Sequence, residues 1–184
     1  MKLRLFSIAL ASALLPAIAA AQQSTRPTDD KSPSSAMVCP LHDALTKMDD
    51  HARMNERGAQ GMGFSQITTT HHFLLRPDGG VIQVEANDPK DTASRDEIRM
   101  HLMHIAHAFA AGEFDIPMFV HDTVPPGVPT MKRLAAKITY TLEQTPNGGR
   151  VLIHTTDPHV VTAIHEFLRF QIDEHQTKDP TTLE

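Results

Sequence analysis

The chain has 184 residues, with 17 Lys and Arg against 22 Asp and Glu for a net charge of −5, and it carries 12 His, 9 Met, one Cys and no Trp. That length accommodates one domain with a substantial core and leaves little room for a second. The acidic balance argues against sequence-independent nucleic-acid binding, which needs clustered Lys and Arg.

Residues 1–21 read as an export signal. Lys2 and Arg4 form a positive start, Leu5 to Leu15 an apolar run, and Pro16 followed by Ala17-Ile18-Ala19-Ala20-Ala21 a break with small residues for cleavage. The apolar run is shorter than the roughly 20 residues a spanning helix needs, so no integral membrane segment is expected. The protein is therefore expected to be periplasmic or secreted, and loss of Lys2 and Arg4 takes its net charge from −5 to −7. Cys39 is alone and can form no intramolecular disulfide.

Residues 22–40, polar and rich in Pro and Ser, read as a disordered leader, and residues 41–184 as a single domain. Leu41, Leu45, Met48 and Ala52 fall at i, i+4, i+7 and i+11, predicting a helix over Leu41 to Arg53 that the glycines at 58, 61 and 63 close. Ile67 to Arg76 and Val81 to Ala86 predict a hairpin across Pro77-Asp78-Gly79-Gly80. Ser94 to Ala111 predicts an amphipathic helix, with Ser94 as N-cap and Glu97 completing a capping box. Phe114 to Thr130 reads as a Pro-rich loop. Lys137 to Gln144 and Arg150 to Thr156 predict a second hairpin, and Pro158 to His175 a second amphipathic helix.

The order hairpin, Gly-Gly, strand, Asp-Pro, helix occurs twice, over residues 64–112 and 134–176. Gly80 to Asp88 and Gly149 to Asp157 both span eight residues. One ββα unit buries too little apolar surface to stand alone. The expected fold is therefore α+β, with two ββα repeats forming an antiparallel sheet and both helices packed on one face, a ferredoxin-like layering. Pattern leaves the strand order open.

Histidine and methionine concentrate on the first long helix. Ile98, Leu102, Ile105 and Phe109 form its core stripe, while the opposite face carries Met100, Met103, His104 and His107, with His101 at the margin. Solvent faces ordinarily carry Lys, Glu and Arg. His104 and His107, at i and i+3, stand on adjoining turns, and thioether and imidazole donors together suit copper, zinc or haem iron. The same uncharged face also suits packing against the Pro-rich loop, the N-terminal helix or a second subunit. His71 shares a strand face with Ile67, Phe73 and Leu75 and His72 the other, so this adjacent pair cannot chelate one ion from a regular strand. His71 and His121, from the loop, are the candidates to complete a site, with Glu85 as a carboxylate partner. His175 reads as a helix-end residue interacting with the dipole. No HExxH, CxxC, CxxCH, GxSxG or phosphate-binding glycine loop is present.

Met62-Gly63-Phe64 through Thr69-Thr70-His71-His72-Phe73, the helix IRMHLMHIAHAF, the loop PMFVHDTVPPGVPTM and the ending AIHEFLRFQIDEH resemble a family of small exported bacterial proteins. Members of that family often carry the label aspartate carbamoyltransferase. That enzyme is a two-domain α/β protein of nearly twice this length, with a Ser-Thr-Arg-Thr phosphate loop and a His-Pro-x-x-Gln segment. Neither is in this sequence, so its activity and residues are not carried over.

Three functional expectations follow. The first is an exported module binding copper, zinc or haem through Met100, Met103, His104 and His107, completed by His71 and His121. The second is a homo-oligomer with the His/Met face as interface. The third is a metal-dependent enzyme with Glu85 or Asp122 as base. Convergence of His71, His104, His107 and His121 in space separates them.

Overall fold

A computed structural model describes residues 40–183, the backbone alone for 40–45. The signal, the leader up to residue 39 and Cys39 lie outside these residues. The chain folds as α1 (Pro40–Met62), β1 (Thr69–Arg76), β2 (Gly79–Ala86), α2 (Thr92–Ala110), α3 (Asp115–His121), α4 (Val128–Arg133), a 3₁₀ turn (Ala135–Lys137), β3 (Thr139–Thr145), β4 (Gly148–His154) and α5 (Pro158–His175). The four strands make one antiparallel sheet in the order β1-β2-β4-β3. This is the α+β fold of two ββα repeats expected from sequence.

The repeats are joined at β2 and β4, where Ile82 faces Val151. These two residues are equivalents, each three residues after the first glycine of its Gly-Gly pair, so an approximate two-fold axis passes between them. Each helix covers the other repeat's strands. α2 lies over β3 and β4, and α5 over β1 and β2. The second glycine of each pair is the seat for this exchange. A Cβ on Gly80 would overlap Leu168 of α5, and one on Gly149 would come within 3.0 Å of Leu102 of α2. These glycines therefore serve helix-to-sheet packing as well as the turns the sequence assigns them. Neither hairpin can bury its apolar face with its own helix, which ties the two repeats into one folding unit.

Ile98, Leu102, Ile105 and Phe109 of α2 are buried, as the periodicity predicts, together with Val160, Ile164, Phe167 and Leu168 of α5. They meet Phe73, Ile82, Val84, Val151 and Ile153 from one sheet face. Each such aliphatic or aromatic side chain contributes about 1.5–3 kcal/mol by leaving water. The edge strand β1 is covered by the chain's C-terminal residues: Phe73 donates its backbone N–H to Asp179 Oδ2 at 2.9 Å, and Asp179 Oδ1 lies 2.8 Å from His72 Nδ1. An otherwise unpaired strand edge is thereby blunted.

Three local expectations are corrected. α1 does not close at Gly58 but runs to Met62, because its glycines admit a neighbour: a Cβ on Gly61 would sit 3.3 Å from the Phe119 ring of α3. The α2 cap is Asp91, whose carboxylate accepts from Ser94 N–H at 3.0 Å, so Ser94 lies inside the first turn. The Pro-rich loop contains α3 and α4. Pro117 and Pro129 sit in first turns, where an N–H has no intrahelical acceptor to lose.

Candidate functional site: a buried histidine cluster

The alternation of β1 turns Thr69, His71 and Phe73 toward the helices and Thr70, His72 and Leu74 away. His71, 9% exposed, lies under the last turn of α5, which ends in His175. α3 delivers a third imidazole and stops there, because Asp122 adopts the left-handed conformation (φ 52°) directly after His121. The ring centres of His71 and His175 are 5.3 Å apart and those of His175 and His121 5.1 Å. Phe64 and Phe73 flank His71 at 5.9 and 6.2 Å. His101 enters from α2 with its ring 5.5 Å from Phe64. A cavity of about 50 Å³ opens beside His71, His101 and His175, walled also by Met62, Phe73 and Val84, while His121 lines a separate cavity on its other side.

Burial keeps these imidazoles neutral. It pulls His71 down to about 4, helped by the nearby His101 and His72, and His101 to about 4 as well. His175 is held well below the ordinary value by burial and then by His71, His121 and His51. His121 is lowered by burial, against an opposing pull from Gln171 and Glu174. Neutral imidazole is the form that ligates metals.

Two amides face the ring nitrogens. Gln66 Oε1 lies 2.9 Å from His175 Nδ1, and Gln171 Oε1 lies 3.1 Å from His121 Nε2. With each carboxamide oxygen accepting the ring N–H, His175 Nε2 and His121 Nδ1 carry the lone pairs. His71 Nε2 and His121 Nδ1 are buried without a hydrogen-bond partner. Each such orphan costs about 1–3 kcal/mol, and a bound electrophile would remove that cost.

The spacing suits an ion better than the ring orientations do. Two imidazoles held tetrahedrally at metal–nitrogen bonds of about 2.0–2.1 Å have ring centres about 5 Å apart, as found here. The His71 and His175 planes, however, are within 9° of parallel. One ring must turn about its Cβ–Cγ bond before both nitrogens aim at one point. Correspondingly, among the described residues no three His, Cys, Asp or Glu groups stand as a formed ion site.

The sequence-selected residues thus divide. His71 and His121 are both brought to His175. Met100, Met103, His104 and His107 stand on the outer face of α2, with Met100 64% and Met103 47% exposed and both histidines exposed. The expectation that α1 or the Pro-rich segment covers this face is corrected: among the described residues it faces solvent. The α2 histidine that turns inward is the marginal one, His101. Glu85 pairs with Thr70 and His71 with Val84, so Glu85 lies on the opposite sheet face and cannot orient His71.

His175 and His101 are the residues that sequence reasoning missed. A signal for His175 exists. It and Gln171 continue the buried stripe of α5 at i+4 spacing, where polar side chains are out of place unless they serve one another or a ligand. The repeat sharpens this. Tyr140, equivalent to His71 in the second hairpin, contacts Phe109 of α2 at 5.9 Å, and Phe109 and His175 are each 17 residues beyond the first residue of their helices. One half of the fold fills this position with a Tyr/Phe pair and the other with two imidazoles.

No helix among the described residues is long and apolar enough to cross a membrane. Comparison of the chain with protein-family models, curated proteins and solved structures finds no match.

Proposed function

We propose that the protein is an exported binding module that takes a transition-metal ion, copper or zinc, into the cluster of His71, His121 and His175. The observation that carries this reading is the pair of buried nitrogens, His71 Nε2 and His121 Nδ1, without hydrogen-bond partners beside a third neutral imidazole. The cavity of about 50 Å³ beside His71 and His175 exceeds the roughly 10–15 Å³ that one enclosed water needs, so an ion has room there. Met62 on the cavity wall adds a thioether that favours copper. The test is titration of metal-free protein with Cu²⁺ or Zn²⁺ against a competing chelator. One ion per chain is expected. His71→Ala, His121→Ala and His175→Ala each lower affinity tenfold or more, and the double change His104→Ala/His107→Ala leaves it unchanged. Absence of stoichiometric binding, or loss only with His104 and His107, overturns the proposal.

A second reading rests on the exposure of Met100 and Met103 beside the exposed His104 and His107. This face supports self-association through α2. Sedimentation of a dimer that becomes monomeric with Met100→Lys/Met103→Lys supports it, and a wild-type monomer at all concentrations refutes it.

A further inference from the structure

Outside the histidine cluster a cavity of about 500 Å³ lies between α1, the end of α3 and the end of α5. Its walls are charged. Asp50, Asp122, Asp173 and Glu174 contribute carboxylates, and Lys47, Arg53 and Arg57 contribute cations. Arg53 pairs with Asp49 and, within the cavity wall, with Asp50, while Arg57 donates its Nε to the Val120 carbonyl at 2.8 Å and keeps its charge near His121. Among the described residues Asp122 and Asp173 have no cationic partner within 4 Å. Two helices, α3 and α5, also end here at His121 and His175, and their C-terminal carbonyls add negative potential.

At the floor of this cavity is His121, whose side chain is 1% exposed. Its Nε2 side is taken by Gln171, and its Nδ1 has no hydrogen-bond partner. That nitrogen lies 3.7 Å from Glu174 Oε2, whose side chain is 45% exposed to the cavity mouth. With Gln171 accepting from Nε2–H, the Nδ1 lone pair and the carboxylate oxygen are two acceptors that need a shared donor or a cation between them. A cation between them resolves the conflict. Two donors on one ion with bonds of about 2.0–2.2 Å stand about 3–3.5 Å apart, so a small rotation of Glu174 completes the pair.

We propose that this cavity is the entrance and outer half of the ion site. A hydrated divalent cation makes its first protein contacts at Glu174 Oε2 and His121 Nδ1, and the unpaired Asp122 and Asp173 supply the attracting field. This rests on the proposed metal-binding function and adds the route and the carboxylate ligand. The cavity walls carry both signs of charge, so any steering is local to Asp122, Asp173 and Glu174, and it fades with salt.

The test is stopped-flow mixing of the purified protein with Zn²⁺ at low and high ionic strength, followed by chelator competition. Glu174 is a surface residue, so Glu174→Gln keeps shape and fold while removing the charge. The expected result is an affinity lower by tenfold or more for Glu174→Gln. Asp122→Asn/Asp173→Asn keeps wild-type affinity at high salt but associates several-fold more slowly at low salt. If Glu174→Gln and Asp122→Asn/Asp173→Asn match wild type in rate and affinity while His175→Ala loses binding, the entrance is refuted and the histidine site stands. A wild-type protein that takes up no Zn²⁺ overturns both.

Discussion

Replacing His71 with Phe separates the stabilising and functional roles of the cluster. His71 is buried between Phe64 and Phe73 on the inner face of β1, at the place where the second repeat has Tyr140. An aromatic hydrocarbon therefore suits the position. Burial lowers His71 from 6.5 to about 4 in the folded state. Below pH 6.5 the unfolded chain binds a proton that the folded chain rejects, so folding loses stability as pH falls from 6.5 toward 4, and the loss levels off below that. With 1.36 kcal/mol per pH unit, the loss from His71 alone is on the order of 2–3 kcal/mol at pH 4.5. His71→Phe removes that proton. Urea unfolding of metal-free wild type and variant at pH 7.5, 6, 5 and 4.5 reads the effect. The variant should be at least as stable at pH 7.5, since one orphaned nitrogen is gone, and its advantage should grow by roughly 2–3 kcal/mol by pH 4.5. His101, also lowered to about 4, leaves both proteins a residual acid sensitivity. If the two stabilities fall in parallel from pH 7.5 to 4.5, His71 is not held neutral by burial and the electrostatic account of the cluster fails.

Other outcomes follow from the same geometry. Tyr140 Oη is buried without a partner, and burial holds its hydroxyl proton on well above the ordinary range. Tyr140→Phe should therefore stabilise the protein by about 1 kcal/mol in urea unfolding, and a destabilisation of that size would show a hydrogen bond the fold does not display. Gly127 adopts φ +79°, and a Cβ there would overlap the Ala163 backbone carbonyl where α4 begins beside α5. Gly127→Ala should cost about 2 kcal/mol or more and lower the melting temperature by several degrees, and an unchanged melting curve would contradict the close approach.

The repeat, the four strands and the two long helices were legible in the sequence because each carries its own period and its own turn residues. The strand order was not, since hydrophobic alternation says which face is buried and not which neighbour a strand chooses. α3 and α4 were hidden by their prolines. Those residues argue against helix in general but not in a first turn, where Pro117 and Pro129 sit. The candidate site was half legible. His71 and His121 were selected, yet the i, i+3 spacing of His104 and His107 establishes only that they share a helix face, and that face points to solvent. His175 stands more than 100 residues from His71, and no local pattern reports such a meeting. The nearest clue is Gln171 and His175 in an otherwise apolar stripe, of which His175 alone reads as a helix end because the residues it faces lie far away in sequence.

The central claim is that the interior histidines, and not those on the outer face of α2, hold the ion. Side-chain ¹⁵N spectra of the histidines, recorded before and after one equivalent of Zn²⁺, test it directly, since metal binding moves the ligating ring nitrogen and spares unligated rings. The account predicts large shifts at His71 Nε2, His121 Nδ1 and His175 Nε2, with His104 and His107 unmoved. Shifts confined to His104 and His107 would contradict it.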